Sequence, residues 1–190
     1  MNNLDYKINT IREKINLLLK NASKKRTALN PPISEDEVVE IEQYYRITFP
    51  SEYRAFLTKI GNGGFGPNFG LLSLQDSLKQ SYIINRDFLK IPFIHTSAYN
   101  PDEDPYILEL GEKCDRGEIP ESECDRVYRY LTAGTLTISL EGCAYSSFLV
   151  ITGPTRGQVW FNADSGSGGY IPLNLSFLDW YEKWLDERFQ

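Results

Sequence analysis

The chain has 190 residues, a length that suits one domain with a sizeable core, and its 41% apolar and 13% aromatic content is that of a folded globular protein. No apolar run is long enough to span a bilayer, and the N-terminal MNNLDYKINTIREK lacks the apolar centre of a signal peptide, so no membrane role is expected. The net charge of −6 is concentrated: between Asp102 and Asp125 ten acidic residues face only Lys113 and Arg116, a local balance of −8 that leaves +2 for the rest. Direct nucleic-acid binding would call for the opposite sign. Cys114, Cys124 and Cys143 are odd in number and widely spaced, which argues against a disulfide framework and fits a reduced cytoplasm.

In chain order, residues 4 to 20 read as a helix with Leu4, Ile8, Ile11, Ile15 and Leu18 on one stripe, expected to pack on the domain as an addition. NASKKRTALNPP follows as a linker, its Lys24-Lys25-Arg26 trio read as solvated. Ser34 is an N-cap with Glu37 at the capping-box position, and Ile33 and Val38 form a hydrophobic staple. Pro50 opens a second helix whose stripe is Tyr53, Phe56, Leu57 and Ile60, with Gly61 as a left-handed C-cap. GNGGFG, Gly61 to Gly66, satisfies G-x-G-x-x-G, but a helix precedes it and strand-like Phe69 to Leu74 follows. That order is the reverse of a dinucleotide site, and the glycines read as a turn in which Asn62 bonds local backbone.

Leu74 to Leu89 has a weaker helical pattern carried by Leu78, Tyr82 and Phe88, and IPFIHT reads as a short apolar strand or edge. Its His95 is the single histidine and reads as a hydrogen-bonded structural residue. Residues 99 to 126 are rich in turn formers and charge, with short helices expected around Tyr106 to Glu112 and Ser122 to Tyr130. Two readings stay open for them. One is a solvated excursion; the other is an interaction surface, because Tyr99, Tyr106, Ile107 and Leu108 interleave with the acids. Gly134 to Gly142 alternates as a half-buried strand, Ser146 to Gly153 is a central strand, and Gln158 to Asn162 returns antiparallel after the GPTRG turn. ADSGSGG is a turn before a strand at Tyr170 to Leu173. Ser176 caps a last helix with Phe177, Trp180, Tyr181, Trp184 and Leu185 on one face, a lid for the core.

Reactive constellations do not assemble in this reading. His95 has no nucleophile elbow near it, and Ser165-Gly166-Ser167 lacks the G-x-S-x-G frame. Cys143 sits in a hairpin turn without a neighbouring cation, and three scattered thiols with one imidazole do not make a zinc site. Nothing fixes the separation of Glu141 and Asp164 as a carboxylate pair. No catalytic, cofactor-binding or metal-ligating set is therefore assigned, and no enzyme is expected.

Phe49-Pro50, Glu52-Tyr53, Phe56-Leu57 and Asn62-Gly63-Gly64, followed later by GCAYSSFLVITGPTRGQVWF and SFLDWYEKWL, resemble the SMI1/KNR4 (SUKH) superfamily in the right order. The resemblance implies an α+β fold: one SMI1/KNR4-like domain over residues 33–190, with a mainly antiparallel central sheet packed by N-terminal helices and a C-terminal aromatic helix. Residues 1–32 would be an added helix and linker, and 99–126 an acidic insertion. Pro50, Asn62, Gly63, Gly64 and Trp160 match motif positions and read as fold-determining. In function the resemblance implies a cytoplasmic immunity protein that occludes a cognate bacterial toxin, a nuclease being one kind, with an intracellular scaffold or regulator as the alternative. The partner would carry a basic active-site groove. The candidate contact residues are Tyr99, Asp102, Glu103, Asp104, Tyr106, Glu109, Glu112, Asp115 and Glu118.

Overall fold

A computed structural model describes residues 3–21, 28–81, 85–163 and 168–189. The Lys24-Lys25-Arg26 trio, Tyr82 and Asp164 to Ser167 lie outside the described residues. The chain runs α1 (Asn3–Asn21), α2 (Glu35–Tyr45), α3 (Ser51–Lys59), α4 (Leu74–Gln80), α5 (Pro105–Asp115) and α6 (Glu121–Tyr130). Then come β1 (Thr135–Gly142), β2 (Tyr145–Val150), β3 (Gln158–Asn162), β4 (Tyr170–Ser176) and α7 (Phe177–Asp186). The strands form an antiparallel meander in sequence order, so β2 and β3 are central. This is an α+β fold.

Because successive side chains on a strand point to opposite faces, the sheet feeds two cores. Leu136, Ile138, Leu149 and Val159 join the main cluster with the helices, while Phe148, Val150, Trp160 and Tyr170 gather with Phe93 in a smaller one. The β1–β2 hairpin turns through Cys143 and Ala144, both left-handed at φ 50° and 65°, the two-residue turn whose twist matches the strands.

The main cluster is closed by the seam between α3 and α7. Phe177 packs edge-on against Tyr53 at 4.9 Å and Phe56 at 5.2 Å, and Tyr181 against Phe56 at 5.0 Å. Ser176 caps α7 as expected, accepting from the Asp179 N–H. Glu52 adds a second acceptor at that terminus, taking the Leu178 N–H at 3.0 Å, where the helix dipole favours a carboxylate. Pro50 is the N-cap of α3, one residue ahead of its expected place, and Arg156 of the GPTRG turn donates to the Thr48 and Phe49 carbonyls beside it.

Several local expectations are corrected. Gly61 is not a left-handed cap: Ile60 ends α3 in right-handed conformation, and Gly61 is small because a Cβ there would lie 2.7 Å from the Asn30 carbonyl oxygen. The left-handed residues are Gly63 and Gly64, and a Cβ on Gly63 would strike the Leu72–Ser73 backbone at 2.6 Å. Asn62 does not serve its own turn. Its Oδ1 accepts the Leu74 N–H at 2.7 Å and its Nδ2 donates to Gln75 Oε1 at 2.9 Å, so it caps α4 from twelve residues away. Phe69 to Leu74 is no strand. Leu71 only bridges to Gly64 and Ser139, and Phe69 is exposed, because α4 starts at Leu74 under its Ser73 cap. The helix expected to Leu89 stops at Gln80, with a separate 3-10 turn at Phe88–Lys90. IPFIHT forms no strand either: Pro92 lacks a donor, and Phe93 makes one backbone bond, to Thr152, while burying its ring in the second cluster.

The α1 stripe is as expected, with Ile8, Ile11 and Ile15 buried and Leu4 and Leu18 partly so against α3 and α7. Ion pairs hold its flank: Lys7 to Glu52 and Asp179, and Lys14 to Glu182 and Asp186, at 2.5–3.0 Å. Burial pulls the Lys7 ammonium down, but hydrogen bonds to Asp179 and Glu52 outweigh it, so its pKa rises. Burial pushes the Asp179 carboxyl up, yet bonds from Lys7 and Ser176 hold it below its ordinary 3.8. The Asp179 contribution is therefore complete above that ordinary value and lost as pH falls through the depressed one. The Lys7 contribution is complete below its ordinary 10.5 and lost as pH rises through the raised one. Resistance to thermal unfolding should accordingly fall at both extremes, and Lys7→Met, which keeps the aliphatic stem, should flatten both limbs. Separately, Asn62→Ala strands the buried Leu74 N–H and should cost about 2 kcal/mol in urea unfolding. A loss near zero would remove Asn62 from its capping role.

Candidate functional site

The acidic excursion starts at the open edge of the sheet, beside β4. Tyr99 forms an isolated antiparallel bridge with Tyr170, the two exchanging backbone N–H to carbonyl bonds at 3.0 and 2.7 Å. Its ring stacks on His95 at 4.0 Å, and its hydroxyl donates to Asp104 Oδ2 at 2.9 Å. Tyr99 thus fixes the root of the excursion. His95 is held by rings, Phe93 on one side and Tyr99 on the other, and its buried Nε2 has no hydrogen-bond partner among the described residues. Burial lowers its pKa against the pull of Asp104, which favours the neutral imidazole. It is structural through stacking and not through the hydrogen bond expected of it.

Asn100 accepts from the Asp102 N–H and donates to Glu103 Oε1, setting a 3-10 turn at Pro101–Glu103. Asp104 then caps α5, accepting the Tyr106 N–H at 2.9 Å ahead of Pro105 at the first helical position. The Tyr99 hydroxyl first, and the Tyr106 N–H next, hold the Asp104 carboxyl below its ordinary range. Both helices expected in the excursion are present. α5 turns Ile107 and Leu110 inward and leaves Tyr106, Leu108, Glu109, Glu112 and Asp115 exposed. Glu109 pairs with Lys113 at 2.7 Å, Glu112 with Arg116 at 3.4 Å, and Glu118 with Arg116 at 2.5 Å. Asp102, Asp115, Glu121 and Asp125 are exposed and make no ion pair with the described residues.

Cys114 in α5 and Cys124 in α6 form a disulfide with a Cα separation of 6.5 Å, which corrects the inference drawn from the cysteine spacing. Ten residues separate them, and an antiparallel helical hairpin brings those positions opposite one another. On the chain-entropy account a loop of that size is worth about 3 kcal/mol to the closed hairpin. Cys143 lies outside the disulfide and is exposed.

The motif residues sit elsewhere. Trp160 is wholly buried against Phe93 at 5.0 Å, and Pro50, Asn62, Gly63 and Gly64 shape the joints around α3. A groove of about 420 Å³ lies between the sheet and α7, walled by Phe161, Leu173, Leu175, Trp180 and Trp184 with Glu141 on its lining. Its walls come from three consecutive elements, β3, β4 and α7, and only their packing in the fold sets them around a groove. The Glu141 carboxylate accepts from Ser147 at 2.7 Å. Among the described residues no three His, Cys, Asp or Glu side chains converge as a metal ion would require, and no helix is long and apolar enough to cross a membrane.

These features define an α+β domain that carries an acidic, aromatic-bearing helical hairpin rooted at the β4 edge of its sheet. Residues 32–183 match the SMI1 / KNR4 family (SUKH-1), and the chain belongs to that family. No curated protein and no solved structure gives a significant match.

Two variants separate the parts played by Asp104. Asp104→Ala removes both the cap and the Tyr99 partner and should speed amide hydrogen exchange across residues 105–115, while Asp104→Asn keeps an acceptor and should stay near wild type. Equal exchange in both variants would show that the hairpin does not depend on this root.

Proposed function

We propose that this chain is an immunity protein of the SMI1/KNR4 type, acting in the cytoplasm by binding and occluding a cognate bacterial toxin. Family membership supports a role in binding a protein partner. The observation that carries the finer reading is the exposed acid of the α5–α6 hairpin, with Tyr106 and Leu108 standing out of it at 64% and 50% exposure. A toxin that cleaves nucleic acid must hold phosphates in a cationic groove. An acidic face is steered toward such a groove and excludes the substrate from it. Exposed aromatic and aliphatic side chains within a charged rim supply the anchors that hold a complex once formed. A complex of ordinary size would bury about 1,600 Å². On this reading the chain needs no bond-making step of its own.

The test is the association rate with the toxin encoded beside this chain. Asp102, Asp115, Glu121 and Asp125 are neutralised together as Asn or Gln, and Asp104 is left in place because it caps α5. The on-rate at low salt should fall about tenfold, and the difference should shrink as salt screens it. An unchanged on-rate removes the acidic face from recognition. Several weak partners in place of one tight one would mark a scaffold or regulator instead.

A further inference from the structure

We propose that the Cys114–Cys124 bond is a redox lock on the acidic face: closed, it holds α5 and α6 as one rigid edge, and opened, it lets them part and weakens partner binding. The inference rests on the binding role proposed above for that hairpin. The hairpin is joined to the body mainly at its roots, through the Tyr99–Tyr170 bridge at one end and the Phe88–Tyr130 ring contact at the other. Between the roots its buried side chains, Ile107, Leu110 and Cys124, belong to neither core cluster. α5 packs on α6 and on the Pro101–Glu103 turn.

Charge works against that packing. From Glu109 to Arg129 there are seven acids against Lys113, Arg116, Arg126 and Arg129, and the acids lie on both helices and on the loop between them. Like charges on facing helices favour separation. A small apolar contact opposed by repulsion leaves the covalent link as the decisive restraint on how α5 and α6 sit together.

The bond is also reachable. Cys124 is buried, whereas Cys114 is half-exposed beside the short loop that ends α5. A small thiol of the glutathione class attacks the Cys114 Sγ as its thiolate; the Sγ–Sγ bond breaks, and the electron pair leaves on Cys124 Sγ, which takes a proton. A second small thiolate then attacks the mixed disulfide, releasing Cys114 as a thiol and the small molecule as its own disulfide. Closure is the reverse, with the small disulfide as oxidant and both protons returned. A reducing cytoplasm keeps most thiols open, so a pair held there in bonding position reports the thiol–disulfide poise.

The experiment uses the full chain carrying Cys143→Ser, so that only the pair titrates. After oxidised glutathione no free thiol should be found, and after reduced dithiothreitol two. Amide exchange across residues 105–130 should quicken at least tenfold on reduction, with β2 and β3 unchanged. Affinity for the toxin encoded beside the chain should fall about tenfold on reduction. Adding Cys114→Ser and Cys124→Ser should reproduce the reduced form and remove the response to dithiothreitol. Free thiols that persist after oxidised glutathione, exchange that ignores the redox state, or affinity that ignores it would each overturn the proposal. Absence of any toxin binding in both states refutes the immunity reading instead, and exchange then still decides whether the pair locks the hairpin.

Discussion

The fold depends on the joint between α3 and α7, and within it on Glu52. This carboxylate accepts the Leu178 N–H and the Lys7 ammonium at once, so it ties the first, third and last helices at one point. The aromatic interlock of Tyr53, Phe56, Phe177 and Tyr181 supplies the apolar area, and Glu52 supplies the register. Glu52 and Leu178 are 126 residues apart, so the joint cannot form until the whole chain has been brought together. Stability that rests on so non-local a contact is cooperative.

The sheet explains why a charged excursion can be attached without disturbing this joint. Its first face is sealed by helices, and its second by Phe93, His95 and Tyr99, which lie across Phe148, Trp160 and Tyr170 as a run of rings. A stack of rings is a thin cover. It leaves the chain at the surface at Tyr99, already hydrogen-bonded to Tyr170, and whatever follows starts from a fixed point. α5 and α6 therefore lie outside both cores, where changes in length and charge carry little cost to the body.

Legibility in the sequence followed the range of each interaction. Helices and strands with a clear period were readable, from the α1 stripe to the alternation in β1 and the aromatic face of α7, because one buried face imposes that period. The family resemblance was readable because its motifs, from Phe49-Pro50 to Asn62-Gly63-Gly64, are short and stand in order along the chain. Asn62 and Gly61 were misread because their partners, Leu74 and Asn30, lie well outside the turn. The span after Leu74 was misread because it is neither helix nor strand throughout: it crosses from α4 to the second face by separate anchors, chiefly Phe88 and Phe93. Of the candidate contact residues, the helical placement of Tyr106 to Asp115 was legible, but the inward commitments of Tyr99 and Asp104 were not. The disulfide needed two helices to be set antiparallel before a separation of ten residues became a pair.

The charge a partner would meet is also not the charge counted along the chain. Asp104 is engaged by Tyr99 and by the start of α5, and Glu103 accepts from Asn100. Glu109, Glu112, Glu118 and Glu123 have cationic neighbours on the same hairpin. Exposed pairs of that kind are weak, so they direct side chains more than they cancel the field. At long range the whole segment attracts a cation, which governs encounter. At contact Asp102, Asp115, Glu121 and Asp125 are carboxylates that could form new bonds without first breaking an ion pair or a side-chain hydrogen bond to the described residues. On the proposed reading, encounter would draw on the whole segment and docking on a few of its acids, and only docking would depend on how rigidly α5 and α6 are held together.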